Sequence, residues 1–190
     1  MFIDYVTLML VNMAAGYAIL AYFLLRGLGA DDPRRYVPGF AASGLVATAC
    51  GLHMCWTWPL PGPYNSAFGE MSVLLGVLFL TAALTLWRDW KLHTLAIYGW
   101  FAGVAAVIVG IRFIGLGLSQ TPVLAGVGFI LSGLPGVLLG VVIAMRKHRF
   151  ARALVAAVAF AAALIWAYIG YKAIWMHMQT FGDWQPPTMQ

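Results

Sequence analysis

Six apolar stretches, each about as long as a bilayer is thick, follow one another along the chain with only short breaks of Pro, Gly and charge between them. Hydrocarbon offers no partner to a backbone N–H or C=O, so such a chain is confined to helices, and a helix needs about 20 residues to cross. The apolar runs between breakers predict helices over residues 3–26, 36–58, 69–88, 93–116, 122–145 and 151–175. The expected fold class is all-α: a polytopic membrane protein of six transmembrane helices. Composition agrees, with 63% of residues hydrophobic and 9% charged, where a soluble domain carries about 25% charged residues. The spans use up the 190 residues, so residues 1–178 are expected to form a single transmembrane domain with no soluble catalytic domain beside it. Residues 179–190, with Trp184, Pro186 and Pro187, form a non-cytoplasmic tail too short and irregular for a further helix; it either docks on the outer loop or a partner or stays disordered.

The formal charge is +5, yet the Lys and Arg residues lie in short clusters and form no basic face of the kind that binds nucleic acid. Arg26, Arg34 and Arg35 stand in the first connection, Arg88 and Lys91 in the third, and Arg146, Lys147, Arg149 and Arg152 in the fifth. Residues 59–68 and 117–121 carry none. Cytoplasmic loops collect Lys and Arg, so the odd connections are expected inside and both termini on the non-cytoplasmic side. The first run begins at Phe2 with no basic segment before it and no small-residue cleavage site, and reads as a retained helix. Trp56, Trp58, Tyr64, Trp175 and Trp184 then fall at the outer interface and Trp87 and Trp90 at the inner one, as an aromatic belt. Cys50 and Cys55 point in different directions from one helix, so no internal disulfide is expected between them.

Helices two and three read as duplicated in helices four and five. Gly44, Ala47 and Gly51 align with Gly103, Ala106 and Gly110 at identical spacing. Val73, Leu74, Gly76, Val77 and Phe79 align with Val123, Leu124, Gly126, Val127 and Phe129 once the second outer loop is shortened by nine residues. Two hairpins that both enter from the cytoplasm make a parallel repeat about an axis along the membrane normal. In this register His53 stands opposite Arg112, and Glu70 opposite Gln120. The pairs Gly99 with Gly103 and Gly136 with Gly140 read as close-packing surfaces.

An ionisable side chain inside a bilayer costs about 2.5–3.5 kcal/mol on insertion scales, so it faces the protein interior and finds a partner. Arg112 is the clearest case, with Glu70 or Asp4 as its neutralising group, His53 at similar depth, and Asn12 extending the network inward from Asp4. One reading is a structural ion pair of Arg112 and Glu70. The other is a cofactor or metal site: His53, Glu70, Asp4 and Met54 as metal ligands, with Arg112, Gln120, Tyr64 and Asn12 around them. Met9, Met13, Met54, Met71, Met176 and Met178 all fall in the outer half, and thioether with imidazole suits copper(I); gap-filling between helices is the plainer reading of each. A haem between His53 and His177 is the lesser alternative, because His177 is expected past the end of its helix. The outer loop PLPGPYNSAFGE, residues 59–70, is stiffened by Pro59, Pro61, Gly62 and Pro63. It either caps the site through Tyr64, Asn65 and Ser66 or simply turns the chain. No zinc, nucleotide or nucleophile motif occurs.

The stretch GLHMCWTWPLPGPYNSAFGE at residues 51–70, with the opening FIDYVTLMLVN and the later GIRFIGLGL, resembles an uncharacterised family of small prokaryotic membrane proteins, a domain of unknown function, over about residues 1–140. The resemblance implies the plasma membrane of a bacterium or archaeon, and implies no activity, substrate or cofactor.

Three functions follow from these residues. The first is a cofactor- or metal-holding or accessory subunit of a membrane redox complex, with copper as the favoured metal, partnered by the bilayer and by other membrane subunits or further copies of itself. In that role the chain is not expected to be an enzyme on its own, a question the residues leave open. The second is a small transporter or channel, suggested by the repeat but opposed by the apolar inner halves of the helices. The third is an enzyme with His53 as acid or base and Glu70 as its partner, acting on a lipid or quinone.

Overall fold

The computed structural model describes residues 5–179, so the roles expected of Asp4 and of Trp184 in the tail lie outside the described residues. Every regular element among them is helical. Helix α1 is Tyr5–Tyr22, continued by a π-helical turn at Phe23–Gly27. A 3₁₀ turn at Pro33–Tyr36 leads into α2, Val37–Thr57. A second π-helical turn, Asn65–Glu70, leads into α3, Met71–Trp87. Then come α4, His93–Gly115, α5, Pro122–Val137, α6, Leu139–Ala144, and α7, Arg149–Gln179. Local chemistry sets these ends. Asp32 Oδ1 accepts from the Arg34 N–H at 3.0 Å beside Pro33, and Pro122 opens α5 where its missing N–H costs nothing.

Five stretches are long and apolar enough to cross a membrane: Val6–Gly27, Pro33–Thr57, Asn65–Trp87, His93–Gly115 and Arg149–Gln179. The segment expected to be one helix over 122–145 is instead interrupted at Leu138. Pro135 explains the break, because it has no N–H for the Leu131 carbonyl and its ring crowds that oxygen. Helix α7 in turn runs farther than expected, to Gln179, since neither Pro nor Gly follows Gly170 until Gly182.

The helices close into a ring: α7 packs on α1, α1 on α2, α2 on α3, α4 on α5, and α5 back on α7, while α3 and α4 touch least. One end of the ring gathers the turns near residues 26–36, 88–92 and 145–149; there Arg35 Nη2 donates to the Arg26 carbonyl at 3.4 Å. This basic end holds nine of the eleven Lys and Arg residues, all but Arg112 and Lys172.

Backbone approach within the two hairpins is very close. A Cβ on Gly44 would lie 2.9 Å from the Gly76 carbonyl oxygen, and one on Gly51 2.8 Å from that of Gly69. In the second hairpin a Cβ on Gly103 or on Gly110 would lie 2.5 Å from the carbonyl oxygen of Gly133 or Gly126. Matching the two hairpins by these contacts makes Gly69 the equivalent of Gly126 and Gly76 that of Gly133. This register differs by seven residues, two helical turns, from the alignment of Gly76 with Gly126, so Glu70 is not the counterpart of Gln120. Thr48 Oγ1, buried without a conventional hydrogen-bond partner, occupies the place a Gly76 Cβ would take, a position suited to a weak Cα–H contact.

Aromatic rings fill the ring of helices. Phe113, Phe68 and Phe129 meet at 5.5–5.9 Å between centroids, and Phe129 meets Trp166 edge-on at 5.0 Å. Toward the basic end Tyr17, Phe79, Phe40 and Phe23 continue the series. Ser132 joins the two groups: Trp166 Nε1 donates to its Oγ at 2.8 Å, and Tyr17 O–H donates to its carbonyl at 3.1 Å. Buried ring dipoles are thereby paired without water.

Overpacking these hairpins is expected to destabilise the bundle. Gly103→Ala and Gly44→Ala should each cost about 1–3 kcal/mol, read as a lower thermal midpoint in detergent. Gly115→Ala, whose added carbon meets nothing within 4 Å, should not lower it.

Candidate functional site

The end of the bundle opposite the basic one carries the residues expected to form a site, and a rigid loop organises it. Helix α2 stops at Trp58, whose N–H still reaches the Met54 carbonyl at 3.0 Å and whose left-handed backbone, φ 47°, then turns the chain off the helix into Pro59. Asn65, wholly buried, then closes the loop on itself. Its Oδ1 accepts from the Leu60 N–H at 3.0 Å and its Nδ2 donates to the Leu60 carbonyl. One side-chain amide thus satisfies both backbone groups of a residue that no helix serves.

Tyr64 ties this loop to the next one. Its hydroxyl oxygen accepts from the Ser119 N–H at 2.9 Å, and its ring meets Phe113 edge-on at 6.2 Å. Ser119 has φ +71° and Gly117 φ +63°, so the turn between α4 and α5 is wound to present that N–H. The outer loop packs over the helix ends, and Phe68 below it is buried among Phe113 and Phe129.

His53 is half-buried near the end of α2. Thr57 Oγ1 donates to the His53 carbonyl at 2.8 Å and lies 3.2 Å from His53 Nδ1. With its proton given to the carbonyl, the hydroxyl oxygen is left to accept from Nδ1–H, an assignment that places the lone pair of a neutral imidazole on Nε2. Met54, the next residue, is 0% exposed and faces the core. Consecutive helical residues point about 100° apart, so imidazole and thioether meet different surroundings.

Glu70 and Arg112 are placed otherwise than the sequence led one to expect. Both are exposed, and among the described residues no ion pair joins them. Glu70 Oε1 accepts from Ser66 Oγ at 2.8 Å within its own turn. Arg112 lies in the last turn of α4, where a cation offsets the negative end of the helix dipole without a carboxylate and a long side chain reaches the interface. Gln120 is exposed in the loop after it.

Asn12 serves neither group. Its Nδ2 donates to the Ser43 carbonyl at 3.0 Å and its own carbonyl accepts from Ser43 Oγ at 3.4 Å, a reciprocal clasp of α1 to α2. Met9 and Met13 are core fillers, and Met176 and Met178 are exposed. His177 lies inside α7 rather than beyond it, with Nδ1 3.4 Å from Thr7 Oγ1. Among the described residues no three His, Cys, Asp or Glu side chains gather closely enough to hold a metal ion. Cys50 and Cys55 are free thiols, as their directions predict, and Cys55 Sγ lies against Gly69.

Sequence reasoning missed Thr57 and Ser119, and named Asn65 only as one of three hydrogen-bonding loop residues. Thr57, four residues after His53 on one helix face, is a signal that was there to read. Ser119 is not, because its role comes from a turn between two helices and a tyrosine 55 residues away in sequence.

An all-helical chain with membrane-length apolar helices, a stapled loop cap and no gathered reaction centre among its described residues defines an integral membrane protein of unknown function. The chain matches, over residues 1–180, the family described as a protein of unknown function (DUF981), and it belongs to that family. The match runs through α7, past the residues 1–140 of the resemblance. No curated protein and no solved structure matches the chain.

The cap makes a direct prediction. Asn65→Ala should leave the Leu60 N–H buried and unpaired at a cost of about 1–3 kcal/mol, read as faster amide exchange in residues 58–64. Asn65→Asp, which keeps the acceptor, should show less.

Proposed function

We propose that the chain is a non-catalytic, six-span accessory subunit of a prokaryotic plasma-membrane complex, which presents its capped end to a partner on the non-cytoplasmic side. Helix α5 alone has sixteen residues, which reach about 24 Å of a ~30 Å core, but with Leu138 and α6 the segment reaches about 34 Å. That length supports the sixth span. The matched glycine register of the two hairpins supports their origin as a duplicated unit, and the basic end supports a cytoplasmic location for the odd connections.

One observation carries the functional reading. The interior between the two ends is filled with rings and aliphatic chains, while His53, Glu70, Arg112 and Gln120 stand half-buried or exposed around the cap. Polar groups directed away from the core recognise what lies outside it. The apolar filling of the interior among the described residues counts against a polar route for a transported solute through a single copy.

A metal ion, copper among the candidates, is the second reading. It is favoured only by the half-buried imidazole of His53 at the capped end, and Met54 is too deeply buried to join it. Elemental analysis of protein purified without chelator decides this: less than stoichiometric metal, unchanged in His53→Ala, retires the metal.

For the accessory role, gentle solubilisation from native membranes should yield a complex with a second membrane protein. Glu70→Gln combined with Arg112→Gln should weaken that complex while leaving the thermal midpoint of the purified chain unchanged. A chain that runs alone at every detergent concentration, with and without cross-linker, would overturn the proposal.

A further inference from the structure

The α3–α4 seam, where neighbouring helices touch least, contains a cleft that neither the cap nor the polar end explains. It has a volume of about 80 Å³, several times the ~10–15 Å³ that one water-sized group needs by that measure. Its rims are half-exposed, Leu78 and Ala82 on α3 and Leu95 and Ala102 on α4, and its floor is buried at Phe79 and Pro135.

The floor's polar groups are already committed. Tyr17 O–H and the Ser132 carbonyl bond to each other, and Ser132 Oγ accepts from Trp166. Nothing on the floor would reward a polar ligand, and a half-open apolar cleft in a bilayer is bathed in acyl chains rather than water. The occupant is therefore hydrocarbon.

Charge decides which hydrocarbon. The turn that joins the two walls carries Arg88 and Lys91, both exposed. Arg88 lies over the ring of Trp87 at 4.8 Å, and Trp87 and Trp90 are themselves exposed, as interfacial anchors are. Asp89, held at φ 56°, is the one acidic residue of the turn. Two cations at the headgroup level of an alkyl-sized cleft complement one anionic phosphate.

We propose that the α3–α4 cleft holds an acyl chain of an anionic phospholipid from the leaflet at the basic end, with its phosphate at Arg88 and Lys91. The full-length protein would be reconstituted into nanodiscs of mixed phosphatidylglycerol and phosphatidylcholine and released for native mass spectrometry. One phosphatidylglycerol should stay bound, preferred about tenfold or more over phosphatidylcholine, as two interfacial cations supply. Ala82→Phe and Ala102→Phe fill the cleft from opposite walls, and each should remove most of the retained lipid of either kind. Arg88→Gln with Lys91→Gln should abolish the headgroup preference and leave the chain site intact. Equal retention of both lipids by the unaltered protein would overturn the proposal. So would undiminished phosphatidylglycerol in whichever phenylalanine variant folds by circular dichroism, or a co-purified quinone or partner helix in the cleft.

Discussion

Apolar side chains gain little by exchanging lipid tails for one another, so a membrane bundle cannot depend on the hydrophobic effect between its helices and depends on close contact instead. Here that contact is backbone on backbone. The carbonyls of Gly76, Gly69, Gly133 and Gly126 sit where side chains would otherwise stand on the facing helices. Dispersion rises steeply as surfaces meet at van der Waals distance, and eight glycines in two hairpins secure it for four of the helices. The hairpins then serve as thick, stiff walls, and the larger side chains fill the space between them rather than within them.

Inside those walls polarity is rationed. Asn12 and Ser43 spend their groups on each other's backbones, and Ser132 receives both Tyr17 and Trp166. These bonds join α1 to α2, α1 to α5 and α7 to α5. Such bonds are modest in energy but directional, and they set the rotation of α1 and α7 against the hairpins in a way that smooth apolar surfaces do not.

Helix existence was legible in the sequence because hydrocarbon length and internal hydrogen bonding leave few alternatives. The break at Leu138 was legible only in part: Pro135 was visible, but apolar residues continue past it without a polar marker. The matched glycine spacing of α2 and α4 meets α3 and α5 in a register two turns from the one that the Val, Leu and Gly matches suggest, since those residues recur so often that a false register scores well. For the site, a sequence speaks to the level of a residue along its helix and not to its direction. A residue's distance from a helix end follows from counting, whereas the side to which Arg112 points follows from how α4 is rotated, and α4 is rotated by Gly103 and Gly110 against α5. Residue numbers alone put Arg112 and Glu70 at one end without making them face each other.

The bond from Ser119 to Tyr64 joins the two hairpins at the end away from the basic turns, while along the membrane α3 and α4 barely meet. Two stiff plates tied at both ends of a seam, here by that bond and by the chain itself through residues 88–92, part most easily between the ties. Any separation of α3 from α4 therefore opens in mid-seam, beside Leu78 and Ala102, and closes toward Tyr64 and toward Arg88.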